Sequence, residues 1–387
     1  MAGAGIPPGP SHTAHRTPQD ANPGNGEGPN RRGQKQEIVS PIDDVDHKMP
    51  DHPTAALPIP HKSHAGESMI GVTRILTRRD LLAVLDPSTC LQALRDGFHH
   101  APSGTTPGQR VRTDLPFPGT ATALLPGLLP GIHAYTVKVN AKFPGARPAL
   151  RGVICLHSGR DGELLALLDS ATVTAWRTGL AAALGTDRLA APDPHGVAAL
   201  GVIGAGAQAE LTLLGLRELR RWGELTVYDT DPQRAAAFAA RHGGRTADSA
   251  AEVAAHATIV LMATWSRTPL LGLADVRPGH HLTSLGADEP GKQELAADLL
   301  DAALLTVDDR ILAAATGALA NAGLPAEAAD ATLGEILRHE HPGRIQPEDI
   351  TVYAPVGLPW QDLALAWIAY QEAERRAVGT TVDLLLE

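Results

Sequence analysis

Two cysteines, Cys90 and Cys155, stand in 387 residues, too few for a disulfide framework or a cysteine-based zinc site. No apolar run approaches the ~20 residues that a membrane span needs. No block of Lys and Arg interrupts a chain of net charge −10, so neither nucleic acid nor an anionic membrane is expected as a partner. The opening residues, MAGAGIPPGPSHTAHR, lack a charged start followed by an apolar stretch, and no secretory signal is read there. What these absences leave is a globular, cytoplasmic protein of enzyme size, long enough for two or three domains.

Residues 1–68 contain no Phe, Trp or Tyr, yet hold 11 of the 31 prolines and 8 glycines. A segment with so little apolar surface to bury cannot offset the entropy of ordering its backbone, so it is expected to be a disordered tail. Six of the 17 histidines fall here, irregularly spaced and framed by no Cys or acidic cluster, and no metal site is expected from them. Met69 begins what reads as a normal domain start.

From Leu76 a helical pattern runs through LTRRDLLAVLDPSTCLQALRDGF. Short strand-like segments follow (RVRTDL, ATALLP, HAYTVKVNAKF, GVICLHS, ELLALLD), divided by Gly and Pro as in an antiparallel sheet. A helix starting near Ser170, with Ser170 or Thr172 as its cap, continues through TVTAWRTGLAAALGTDRLA. Residues 197–309 then alternate apolar strands with helices, the signature of a parallel, doubly wound sheet. The C-terminal part returns to a strand and a long amphipathic helix.

The strand VAALGVI runs directly into Gly204-Ala205-Gly206-Ala207-Gln208-Ala209 and a helix. This is G-x-G-x-x-A in its required setting. The first glycine makes the tight turn, the second lets the backbone approach a pyrophosphate, and the small third residue allows close helix–strand packing. Asp229 ends the next strand, placed to accept from a ribose 2′-OH, followed by Thr230, Asp231 and Pro232. With no Arg or Lys adjoining it, NAD is expected rather than NADP.

Outside that segment four charged residues stand in unusual company. Arg177 lies in an otherwise small and apolar helix, Lys138 sits between Val137 and Val139 in a strand, Arg112 opens RTDLPFPG, and Asp288 follows the strand HLTSLGA. Each alone has a bland explanation as a solvated or ion-paired residue. Together, three cations and a carboxylate suit an α-amino or α-imino acid, with the cations on its carboxylate and the Asp at its nitrogen.

In sum the sequence resembles the ornithine cyclodeaminase/mu-crystallin family from about residue 70 to the C-terminus. The motifs are Arg112-Thr113, Lys138 in TVKVN, LDSATVTAWRTGLAAA, GVIGAGAQA, VYDTDP, SLGADEPGKQEL and TVYAPVGLPWQDLALA. The resemblance implies an α/β protein with a Rossmann-type doubly wound parallel sheet (195–334) inserted in a second α+β substrate-binding and dimerisation domain (69–194 plus 335–387), assembled as a homodimer. It implies that Arg112, Lys138 and Arg177 clasp the substrate carboxylate and that Asp288 lies beside the reacting amine. Cofactor contacts are expected at Gly204, Gly206, Ala207, Gln208, Ala209, Asp229, Thr230, Thr178 and Thr264. Ornithine cyclodeaminases of the family carry a glutamate three residues before a strand proline, and here Ala123 aligns with it. Pro355 also departs from the serine of many members.

The expected function is NAD-dependent oxidation or reduction of an α-imino or α-amino acid, of ketimine reductase or amino-acid dehydrogenase type. The alternative is a cyclodeaminase that uses NAD catalytically and releases ammonia. A third reading is a ligand-binding protein that keeps the nucleotide fold without turnover.

Overall fold

A computed structural model describes residues 72–101, 109–143, 145–146, 148–193 and 195–384. The expected disordered tail and its histidines lie outside the described residues. The first sheet is built on an antiparallel meander of five strands, β2 (Gln109–Asp114), β3 (Thr120–Gly127), β4 (Ala134–Lys142), β5 (Leu150–Ser158) and β6 (Leu164–Asp169). β1 (Val72–Leu76) pairs parallel to β6, and β15 (Thr380–Asp383) closes the edge beyond it, giving the order β15-β1-β6-β5-β4-β3-β2.

Alternation along these strands divides the sheet into two unlike faces. One cross-strand row reads Arg110, Leu124, Lys138, Ile154, Leu168; the neighbouring row on the opposite face reads Val111, Ala123, Val139, Val153. The first face is covered by the helices Ser170–Leu189 and Pro359–Arg376; Ile154, Leu156 and Leu168 on the sheet and Leu180 and Leu365 on the helices are buried between them.

The helical stretch after Leu76 is two helices rather than one. Arg78–Val84 starts from a Thr77/Asp80 capping box, and Pro87–His100 starts from Asp86, with Pro87 in the first turn where its missing N–H costs nothing. The helix Ser170–Leu189 is capped by Asp169, whose Oδ2 accepts from the Thr172 N–H at 3.0 Å and hydroxyl at 2.6 Å. The expected Ser170 or Thr172 cap is thus one carboxylate earlier.

The second sheet is parallel throughout. It contains β7 (Leu200–Ile203), β8 (Leu225–Tyr228), β9 (Arg245–Thr246), β10 (Ile259–Met262), β11 (His281–Ser284), β12 (Leu304–Val307), β13 (Ala331–Thr332) and β14 (Thr351–Tyr353). Their order is β13-β12-β14-β11-β10-β7-β8-β9, so the winding reverses at β7, between β8 and β10. That is the switch point where open α/β sheets bind ligands, at the carboxyl ends of the strands. β14 comes last in the chain yet pairs between β11 and β12. The sequence boundary at 335 assigns these residues to the substrate domain; in the structure the chain returns there only after Tyr353.

The helix Ser170–Leu189 joins the two sheets by crossing Ala207–Leu219 very closely. A Cβ at Gly179 would stand 2.5 Å from Leu211 Cβ, and one at Gly215 2.8 Å from Ala183 Cβ.

Candidate active site

A cavity of about 750 Å³ opens between the inner face of β2–β4 and the carboxyl ends of the second sheet. Lys138 reaches it from the interior of β4, with a side chain only 2% exposed. Its ammonium donates to Asp362 and approaches Thr174 Oγ1 at 3.4 Å. Arg177 Nε stands 3.5 Å from the other oxygen of Asp362, and Nη1 donates to Gln361 Oε1 at 3.4 Å. Asp362 therefore sets the spacing of two buried cations. Both Arg177 Nε and Asp362 Oδ1 still lack a hydrogen bond. Burial lowers the Lys138 pKa to about 8, with Asp362 opposing and Arg177 adding to the shift.

The Arg177 guanidinium rests on Gly357, where φ is +96° and a Cβ would collide with Nη1. The Gly357 loop is held by Asp308, which accepts from the backbone N–H groups of Val356 and Gly357. Burial raises the Asp308 carboxyl pKa despite these donors.

Across the cavity Asp288 is about a third exposed (32%). Its Oδ1 accepts from Lys292 at 2.9 Å, its Oδ2 faces Lys142 at 3.9 Å, and its backbone carbonyl accepts from Arg110 Nη2 at 3.3 Å. Burial alone would raise its pKa, but the two lysines outweigh it and hold the carboxyl below the usual range. Glu289 also joins both lysines, at 2.7 Å to Lys142 and 3.5 Å to Lys292. The two ammonium groups lie over the ring of Trp265, at 4.7 and 4.8 Å from its centre.

The glycine turn lies at the other end of the cavity. Gly204 has φ +93°, and a Cβ there would meet the Ala263 carbonyl oxygen at 2.6 Å. At Gly206 a Cβ would meet nothing within 4 Å, so the space in front of the helix Ala207–Leu219 is open. No side chain caps this helix, leaving its first N–H groups for an anion. Gln208 Oε1 is buried there without a partner. Opposite, Thr264 is fixed by Glu294 Oε1, which accepts from its N–H at 2.6 Å and its hydroxyl at 2.8 Å. These features fit a dinucleotide whose pyrophosphate meets the turn.

Asp229 ties the turn to β8, its Oδ2 accepting from the Ala205 N–H at 2.8 Å. Although no cation adjoins it in sequence, Arg234 Nη1 stands 3.2 Å from its Oδ1. The same guanidinium also reaches Asp231 at 3.3 Å, so two carboxylates outnumber one cation at this rim.

The cavity brings together Lys138, Arg177, Thr178, Gly206, Ala207, Gln208, Thr264 and Asp288 among the residues expected from sequence. Gly204 and Ala209 support the turn from behind, Asp229 is buried beside it, and Thr230 is exposed. Arg112 is not brought in: its guanidinium pairs with Asp114 at 2.7 Å on the edge strand. Arg110, two residues earlier, shares the row of Lys138 and lines the cavity instead. Ala123 lies on the opposite sheet face from Lys138, so the absent glutamate of the cyclodeaminase pattern is not missing from this wall. Sequence reasoning also passed over Asn140, Lys142, Lys292, Trp265 and Asp362. Two of them were within reach, since Asn140 and Lys142 follow Lys138 at the strand period of two.

Among the described residues no group of three or more His, Cys, Asp or Glu could hold a metal ion, and no helix is long and apolar enough to cross a membrane. The family model for the ornithine cyclodeaminase/mu-crystallin family matches residues 72–377. An alanine dehydrogenase of Archaeoglobus fulgidus is 29% identical over 80% of this chain and 98% of its own length. An archaeal alanine dehydrogenase dimer with bound NAD superposes with a TM-score of 0.73 at 27% identity, covering 81% of this chain and 100% of that one. The Delta(1)-pyrroline-2-carboxylate reductase of Thermococcus litoralis, in complex with NADH and L-proline, gives 0.74 at 26% identity, covering 80% and 100%.

Proposed function

The chain belongs to the ornithine cyclodeaminase/mu-crystallin family, and we propose that it is an NAD-dependent oxidoreductase of an α-imino or α-amino acid, of ketimine reductase or amino-acid dehydrogenase type. The observation that carries this reading is one cavity whose lining brings the cations Arg110, Lys138 and Arg177 together with the carboxylate of Asp288 and an open helix N-terminus behind a glycine turn. Bound NAD(H) supplies or takes up the hydride at the substrate α-carbon.

The chain's own groups orient that carbon. Arg110, Lys138 and Arg177, all lining the cavity, hold the α-carboxylate through charge-assisted hydrogen bonds. Asp288, kept ionised by its lysines, faces the nitrogen, stabilising an iminium and accepting an N–H proton. Gly206, Ala207, Gln208, Thr178 and Thr264 would hold the dinucleotide, with its pyrophosphate at the uncapped helix N-terminus, and Asp229 would accept from the adenosine ribose. The carboxylate excess formed by Asp229 and Asp231 over Arg234 disfavours a 2′-phosphate. A diamine would bring its second ammonium against Lys142 and Lys292, whose partners Asp288 and Glu289 are already engaged, so no free acceptor awaits it, which disfavours ornithine and lysine.

We also propose a homodimer formed through the outer face of the first sheet. Val111 and Val139 are about half exposed there, at 54% and 48%, in a row completed by Ala123 and Val153. A second copy would cover this face.

The test follows NADH absorbance together with ammonia, over a panel of amino and imino acids. Net NADH change with an α-imino or α-amino acid is expected. Ammonia release from ornithine or lysine without net NADH change would instead make the protein a cyclodeaminase. Silence across the panel would leave the ligand-binding reading.

A further inference from the structure

Beyond the carboxylate clasp, the same cavity holds a second cationic pair. On β4 the inward positions run Lys138, Asn140, Lys142, so Lys142 lies two pleats from Lys138, a Cα separation of ~13 Å. Asp288 stands between the two ends, with its carbonyl on Arg110 and its carboxylate on Lys142 and Lys292. A substrate gripped at its α-carboxylate, with its nitrogen at Asp288, thus directs its side chain toward Lys142.

We propose that Lys142, set with Lys292 against the face of Trp265, is a subsite for a second anionic group. The preferred substrates are then α-imino or α-amino acids whose side chains end in a carboxylate. This rests on the α-imino or α-amino acid reading given above.

Three observations carry it. Lys142 and Lys292 are largely buried, their side chains 17% and 9% exposed, where an ammonium needs anionic partners. The indole face of Trp265 holds both ammonium groups at one spot and gives them no hydrogen-bond acceptor. Glu289 supplies that acceptor in the free protein, and a carboxylate on the substrate would take its place on Lys142.

Calorimetric titration of the full chain with glutarate and with butyrate tests the subsite without turnover. Wild-type protein is expected to bind glutarate at least tenfold more tightly than butyrate. Lys142→Met should erase most of that preference, a loss of roughly tenfold to a hundredfold, while Lys142→Arg keeps it. Glu289→Gln, which removes the competing acceptor, should tighten glutarate. Equal affinities in the wild type, no binding of either acid, or a preference that survives Lys142→Met would overturn the proposal. Failure of the oxidoreductase reading shows separately, as absence of NADH turnover alongside an intact glutarate preference.

Discussion

In the proposed clasp, Lys138 carries a charge within reach of ordinary assay conditions. Its burial lowers the pKa to about 8, so the group is cationic below that pH and loses its charge above it. An anionic ligand should therefore bind progressively more weakly as pH rises through about 8. Inhibition by propionate, whose own carboxylate does not titrate in this range, should show its Ki climbing there. Lys138→Arg, always charged, should flatten the climb; an unchanged profile would remove Lys138 from the clasp. Much of this site was legible in the sequence because a charge inside an apolar strand or helix has to be explained by a partner. What was not legible was which of two nearby arginines faces that partner. Arg110 and Arg112 lie on the same side of an edge strand, and only cross-strand register puts Arg110 in line with Lys138. Asp362 was hidden for a different reason: it pairs with Lys138 across 224 residues, beyond any local pattern.

Among the elements, the crossing of Ser170–Leu189 over Ala207–Leu219 governs both halves of the site. Arg177 and Thr178 lie just before Gly179 on one helix, and the anion-binding N-terminus begins the other. Replacing Gly179 by Val would force side-chain atoms against Leu211 and the backbone of Thr212. Overpacking of this kind costs about 1–3 kcal/mol. The expected result is a lowered denaturation midpoint together with weakened binding of both NADH and carboxylates; a loss of only one would mean that the two helices do not act as a unit. The helices and strands themselves were readable from periodicity, and the glycine turn from its spacing. The split at Asp86-Pro87 was less so, because the apolar stripe continues across it while the backbone does not. The placement of β14 could not be read at all, since three buried residues carry no sign of which strands they lie between.

For the molecule as a whole, the unlike faces of the first sheet bear on the proposed assembly. If a second copy covers the row of Val111, Ala123, Val139 and Val153, a charge in that row must be buried unpaired in the dimer. Val139→Asp should then shift sedimentation from dimer toward monomer while each chain keeps its affinity for NADH. A monomeric wild type, or a dimer indifferent to the substitution, would refute this face as the interface. The position of β14 has a consequence of another kind, in the order of folding. During synthesis the nucleotide-binding sheet waits with a central gap until residues 351–353 emerge, long after its first strands. Such distant pairing makes closure of the sheet a slow, late event. The cluster of Lys138 and Arg177 likewise acquires its finished support only when the segment bearing Gly357 and Asp362 has left the ribosome, so neither half of the site matures ahead of the other.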